Sequence, residues 1–140
     1  MSEINHRWLK DNHGDRYFPV THSDAVLGIH TTDWQPLELI NGAKNAEGYT
    51  KSQYKYDEFF GIKQLTLIIW AQNITEDKAF AKLPEDYVRE SGHVFNAVGT
   101  IRQYPNKFVI YPNGEIEFAK HYENSWNSSK YAGLETTWQL

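Results

Sequence analysis

The run Lys63–Asn73, KQLTLIIWAQN, limits the possible folds more than any other stretch of this chain. With the period of two that a strand imposes, Leu65, Leu67 and Ile69 project one way and Thr66, Ile68 and Trp70 the other. The run is short, filled with β-favouring residues and free of Gly and Pro, which makes it a strand and not a helix. At about 3.3 Å per residue it spans about 30 Å, the width of a small β domain. An antiparallel strand normally turns one face to the core and the other to water, giving an apolar-polar alternation. Ile68 and Trp70 break that alternation. The second face therefore needs a cover, from a second layer of the chain or from another copy of it.

A chain of 140 residues suits one domain and buries roughly two-thirds of its unfolded surface. With no Cys, it has no disulfide scaffold, thiol nucleophile or thiolate zinc site. No stretch reaches the roughly 18 apolar residues of a membrane span, and MSEINHRWLKDNHGD is not of signal-peptide type. The expectation is a soluble protein made in a cytoplasm. A net charge of −4 and a pI near 5.8 argue against a nucleic-acid partner, which calls for a basic face. Aromatics reach 15%, with five Trp and nine Tyr. Such residues fill β cores and also make rigid amphipathic contact surfaces.

Residues 1–32 read as a docking or attachment segment and 33–140 as a β head. In the first, DNHGD (Asp11 to Asp15) is a turn; its oxygens miss the twelve-residue calcium-loop spacing and the closing Glu. Tyr17, Phe18 and Val20 form an edge strand or docked segment that Pro19 keeps out of a sheet centre. In the head, DWQPLELIN ends at an Asn41-Gly42 turn, and TKSQYKY (50–56) reads as a polar strand with DEFFG turning into the central one. Residues 75–90 fit either a helix capped by Thr75 or a strand ending at Leu83-Pro84. HVFNAVGTI alternates, KFVIYPNGEIEF is a hairpin about Pro-Asn-Gly, and GLETTWQL is a closing strand. The sum is an all-β antiparallel sandwich or barrel of about eight to nine strands.

Chemistry-bearing patterns are sparse. Six His residues include no His-x-His or His-x-x-x-His pair, so no metal is expected, although a threefold axis can gather three copies of one His. There is no Gly-x-Ser-x-Gly elbow. Carboxylate pairs such as Glu115/Glu117 suit the wet face of a hairpin better than glycoside cleavage. No catalytic residue and no cofactor are expected.

From Asp33 onward the motifs occur in a telling order: Trp34 to Gly42, Gln53-Tyr54-Lys55, Gln64 to Trp70, Leu83-Pro84-Glu85-x-Tyr87, Phe108 to Ile116 with Tyr-Pro-Asn-Gly at its centre, and Leu134 to Leu140. This set, covering about three-quarters of the chain, resembles the C-terminal head (receptor-binding) domain of tail-fibre and baseplate proteins of phages that infect Gram-positive bacteria. The preceding DNHGDRYFPVTHSDAVLG, Asp11 to Gly28, is similar to a stretch in baseplate and tail-fibre proteins of the same phages. The chain departs from the pattern at Ala43, where an aromatic is common, and at LETTW, where a Gly-containing strand is usual.

The resemblance implies a homotrimeric head in the virion tail or baseplate, adhering to a host cell-wall saccharide and contacting other virion proteins. In such a trimer Ile68 and Trp70 would meet neighbouring subunits. Sugars present apolar C–H faces and many hydroxyls, so their sites join an exposed aromatic to amides and hydroxyls. HYENSWNSSKY (121–131) concentrates these groups: Trp126 and Tyr122 for stacking, Asn124, Asn127 and Ser128 for hydrogen bonds, with Tyr131 and His93 as weaker additions. Trp126 is expected to face solvent more than Trp34 or Trp70; the plainer alternative makes it a lid on the core. Two other functions stay open: a structural trimerising module without saccharide affinity, and a wall-polysaccharide-degrading enzyme.

Overall fold

The computed structural model describes residues 9–10, 16–17, 28–100, 105–121 and 126–140. Among the described residues thirteen strands follow one another: β1 (Leu9–Lys10), β2 (Arg16–Tyr17), β3 (Ile29–Thr31), β4 (Gln35–Pro36), β5 (Glu38–Leu39), β6 (Lys44–Asn45), β7 (Gln53–Phe59), β8 (Ile62–Gln72), β9 (Lys78–Lys82), β10 (His93–Gly99), β11 (Pro105–Ile110), β12 (Glu115–His121) and β13 (Tyr131–Gln139). A single 3-10 turn, Glu85–Tyr87, is the one helical element among the described residues. The architecture is all-β and antiparallel. Nine strands run in the order β3-β7-β8-β13-β10-β11-β12-β9-β5, with β4 pairing β7 and β6 pairing β8.

The sheet curls around its core like a half-barrel, and β8 is third in that order, between β7 and β13. Leu65, Leu67, Ile69 and Ala71 of β8 are fully buried on the concave side. Opposite them in register stand Trp138, Thr136, Leu134 and Ala132 of β13, and Tyr56 and Tyr54 of β7 face Leu65 and Leu67. Phe80, Phe108, Ile110, Ile116 and Phe118 close the core from the other arm. Burying each such side chain stabilises the fold by about 1.5–3 kcal/mol.

The segment 35–39 ties the two arms together. Its start pairs with β7 (Gln35 opposite Tyr54) and its end with β9 (Leu39 opposite Ala81). Main-chain bonds from Leu37 N to Ser52 O (3.0 Å) and from Ile40 N to Phe80 O (2.8 Å) extend the two pairings. Leu37, between them, drops its side chain into the core.

The turns follow the sequence chemistry. Asn41-Gly42 has positive φ at both residues (55° and 82°) and is closed by Ala43 N donating to Ile40 O (3.1 Å), a tight turn between two strands that pair with different neighbours. The DEFFG stretch differs from expectation: β7 runs on through Phe59, and only Phe60 and Gly61 turn, because a two-residue loop leaves the rest free to pair. Residues 75–90 resolve to strand, with β9 followed by the 3-10 turn after Pro84. The closing strand begins at Tyr131, two residues before the expected Gly133. Within the expected docking segment, Ile29–Thr31 pairs with Asp57–Phe59 as an edge strand.

Candidate functional site

Ile68 and Trp70 are half-buried on the convex face, where the sequence left them in need of a cover. Ile68 lies in register with Gln53 on one side and Glu135 on the other. Beside it, Thr66 and Thr137 share a hydroxyl hydrogen bond of 3.1 Å. Most of this face is therefore polar. Trp70 is covered by its own chain: the Tyr49 ring stacks on it at 4.5 Å with 22° between planes. On the other side of the indole is Gly133, where an added Cβ would come within 2.3 Å of Trp70 Cε3. The indole N–H donates to Glu135 Oε1 (3.3 Å).

Main-chain contacts fix the strand beneath. Trp70 N donates to Ser52 Oγ (3.0 Å), Ser52 Oγ donates to Trp70 O (3.3 Å), and Ser52 N donates to Asn45 Oδ1 (2.7 Å). Ala46 N also donates to Trp70 O (2.8 Å). The loop carrying Tyr49 is thus anchored to β8 on both sides of that residue.

Tyr131 completes the cluster. It stands opposite Gln72, with its ring edge-on to Trp70 (6.2 Å, 62°) and 4.8 Å from Tyr49. Tyr49 Oη donates to Tyr131 Oη at 2.6 Å. The neighbouring loop is held by Gln72 Nε2, which donates to Ser129 O (3.3 Å). Asn127 and Ser128 are exposed in this loop, and Asn127 Oδ1 accepts from Ser129 N (3.0 Å).

The sequence candidates therefore separate. Tyr131, Asn127, Ser128 and Trp70 gather at one end of the convex face. Tyr122 and Asn124 lie outside the described residues. Trp126 is half-buried, packs on Phe118 (4.6 Å) and gives its indole N–H to Ile74 O (2.8 Å), so it sits as a lid on the core. The expected ranking of exposure is corrected: Trp34, at 43%, is more exposed than Trp126, because it lies off the ladder between β3 and β4.

His93 belongs elsewhere. It is seven residues from Thr100, whose Oγ1 accepts from Tyr131 N (2.9 Å), a separation of about 23 Å along a strand. It stacks on Phe95 (4.2 Å) and Trp138 (5.9 Å), and burial followed by the Arg89 charge lowers its pKa.

Tyr49, Gln72, Glu135 and Gly133 were not singled out from sequence. Tyr49 lies in a loop without periodicity, and its partner Tyr131 is 82 positions away. The one available signal was the mismatch at Trp70, which already demanded a neighbour. Together these groups present ring surface, two phenols, amides and a carboxylate. That set suits a polyhydroxylated ligand with apolar C–H faces. Among the described residues no group of three or more His, Asp or Glu is placed to hold a metal ion.

Elsewhere a concavity of about 190 Å³ opens where segment 35–39 crosses between arms, lined by Pro36, Glu38, Tyr54, Lys82 and Glu85 among others. Its volume is below the roughly 300 Å³ at which small-molecule sites begin. Burial, and then neighbouring Tyr87, raise the Tyr54 pKa, so that phenol remains a donor at neutral pH. No family model matches the chain, and neither do any curated protein or solved structure.

Proposed function

We propose that this chain is a non-catalytic adhesion head of a phage tail fibre or baseplate, binding a host cell-wall saccharide at the Tyr49–Trp70–Tyr131 cluster. The ordered motifs from Trp34 to Leu140 support the setting. The observation that carries the site is the phenol-linked aromatic cluster on the convex face, flanked by Glu135 and the Asn127–Ser129 loop. Sugar C–H groups would stack on ring surface while amides and hydroxyls take the hydroxyl groups. The head would act as a homotrimer in the virion, with Ile68 at subunit contacts.

The test is titration of the purified chain with Gram-positive wall polysaccharide, followed by calorimetry. Tyr49→Ala should weaken binding at least tenfold and Trp126→Ala should leave it within twofold, provided both variants keep the native circular dichroism. Equal binding by Tyr49→Ala would refute the site. Release of reducing ends would refute the non-catalytic reading, and a monomeric mass in solution would refute the trimer.

One observation favours a structural trimerising module instead. Phe59 (40%), Phe60 (72%), Ile62 (55%), Val94 (61%) and Val98 (42%) are large apolar side chains left exposed, as protein contact surfaces often are. That reading predicts a trimer that binds another virion protein and no wall polysaccharide.

A further inference from the structure

We infer that the interior of the half-barrel carries a hydration site built on Asn106, beside the end that Trp126 covers. Asn106 is fully buried, and neither its Nδ2 nor its Oδ1 has a hydrogen-bond partner. Along β11 it shares the inward side with Phe108 and Ile110, both also buried, so the amide points into the core. A strand has no local reason to put an amide there. Leu would fill the position without leaving a donor and an acceptor out of water, and native chains rarely leave such groups unbonded.

The described residues around Asn106 are small. Ala97 of β10 is directly opposite Asn106 in the ladder. Gly99 pairs with Ala132 of β13, and Ala132 pairs with Ala71 of β8. Ala71, Ala97 and Ala132 are all at most 3% exposed. Four small residues thus stand together on three neighbouring strands. At the other end of the same face the inward positions carry Trp138, Tyr56, Leu65 and Phe95 instead.

The chemistry of the guest follows from the lining. The amide presents both donors and an acceptor, and the collar contributes methyl groups and main chain. The only other buried polar or charged side chains among the described residues are Ser52 and Asp57. Ser52 is committed to Trp70, and Asp57 stands 3.6 Å from the Lys55 ammonium. Among the described residues nothing therefore offers a counter-charge for an ion at Asn106. A small neutral molecule able to donate and accept at once is water. The site faces the core and is independent of the convex-face cluster, so it stands or falls apart from the adhesion reading.

The test uses the whole chain, labelled for NMR. Long-lived water should give cross-peaks to the Asn106 amide protons and the Ala97 and Ala132 methyls. Those cross-peaks should be lost in Asn106→Leu. A dry apolar void takes up xenon, whereas a hydrated polar one does not. Xenon should accordingly leave the wild-type methyl shifts unchanged and move them in Asn106→Ala. Absent water cross-peaks at the Asn106 amide, or xenon-induced methyl shifts in the wild-type chain, would each overturn the inference. If the variants do not fold, the two wild-type measurements decide it.

Discussion

Gly133 and Trp70 are matched in register on β13 and β8, and the indole lies where any side chain at 133 would stand. A Cβ there would also fall 2.5 Å from the main-chain oxygen of Ile69, which cannot swing aside. Gly133→Ala should therefore displace Trp70 and its Tyr49 partner. The expected cost is about 1–3 kcal/mol by urea denaturation, the range for overfilling a packed site. A change in the tryptophan emission of the folded state should accompany it.

The hydroxyl pair between Tyr49 and Tyr131 is a separate link. Tyr49→Phe keeps the stack on Trp70 and removes the donor. The expected loss is about 1 kcal/mol of stability, typical of one net hydrogen bond. If saccharide binding uses ring surface more than the phenols, this variant should retain most of the affinity that Tyr49→Ala loses.

Ser52 supports the cluster from beneath. It is 3% exposed, and its hydroxyl both accepts from Trp70 N and donates to Trp70 O. Ser52→Ala leaves a buried main-chain donor without its partner, an expected cost of about 1–3 kcal/mol. Amide hydrogen exchange at Trp70 should accelerate more than at Leu67, which faces the core farther along β8.

His93 gives the stability a defined pH dependence. Its folded pKa is lowered, by burial first and the Arg89 charge second. Below its ordinary pKa of about 6.5, the unfolded chain takes up the proton more readily than the folded one. Its contribution is thus intact above that value and declines as pH falls through about 6.5 toward the lower folded pKa. His93→Gln should flatten this part of the stability–pH curve relative to wild type, measured by thermal melts between pH 5 and 8.

The strands were legible because local patterns carry them. Leu65, Leu67 and Ile69 alternate into the core as their spacing requires, and Pro112-Asn113-Gly114 turns the β11–β12 hairpin. The site was only half legible. Trp70 is conspicuous as an apolar residue on what should be a wet face, and the sequence demands a cover for it. It had no means of showing that Tyr49 supplies part of it, since a long-range ring stack leaves no periodic trace. Trp126 illustrates the converse: a loop position suggests exposure, while the partner that buries it, Phe118, sits on another strand. The tying role of residues 35–39 was also hidden, because one continuous alternation serves two different neighbours.

The β7–β8 turn is the clearest local misfit. Phe60 sits at φ 50°, in the left-handed region, and is 72% exposed. Its main-chain N donates to Gly28 O at 2.6 Å, which ties the turn to the edge segment. Tight two-residue turns favour Asn-Gly, since Asn tolerates positive φ and a bulky aromatic does not. Phe60→Asn would create that pair without disturbing the ladder and would remove exposed apolar surface. If the turn serves only the fold, the variant should be more stable by about 1 kcal/mol, the lower end of the left-handed penalty relieved. A matching rise in Tm with unchanged mass in solution is the expected result. A fall in Tm, or dissociation of an assembly, would instead show that the Phe60 ring makes contacts of its own.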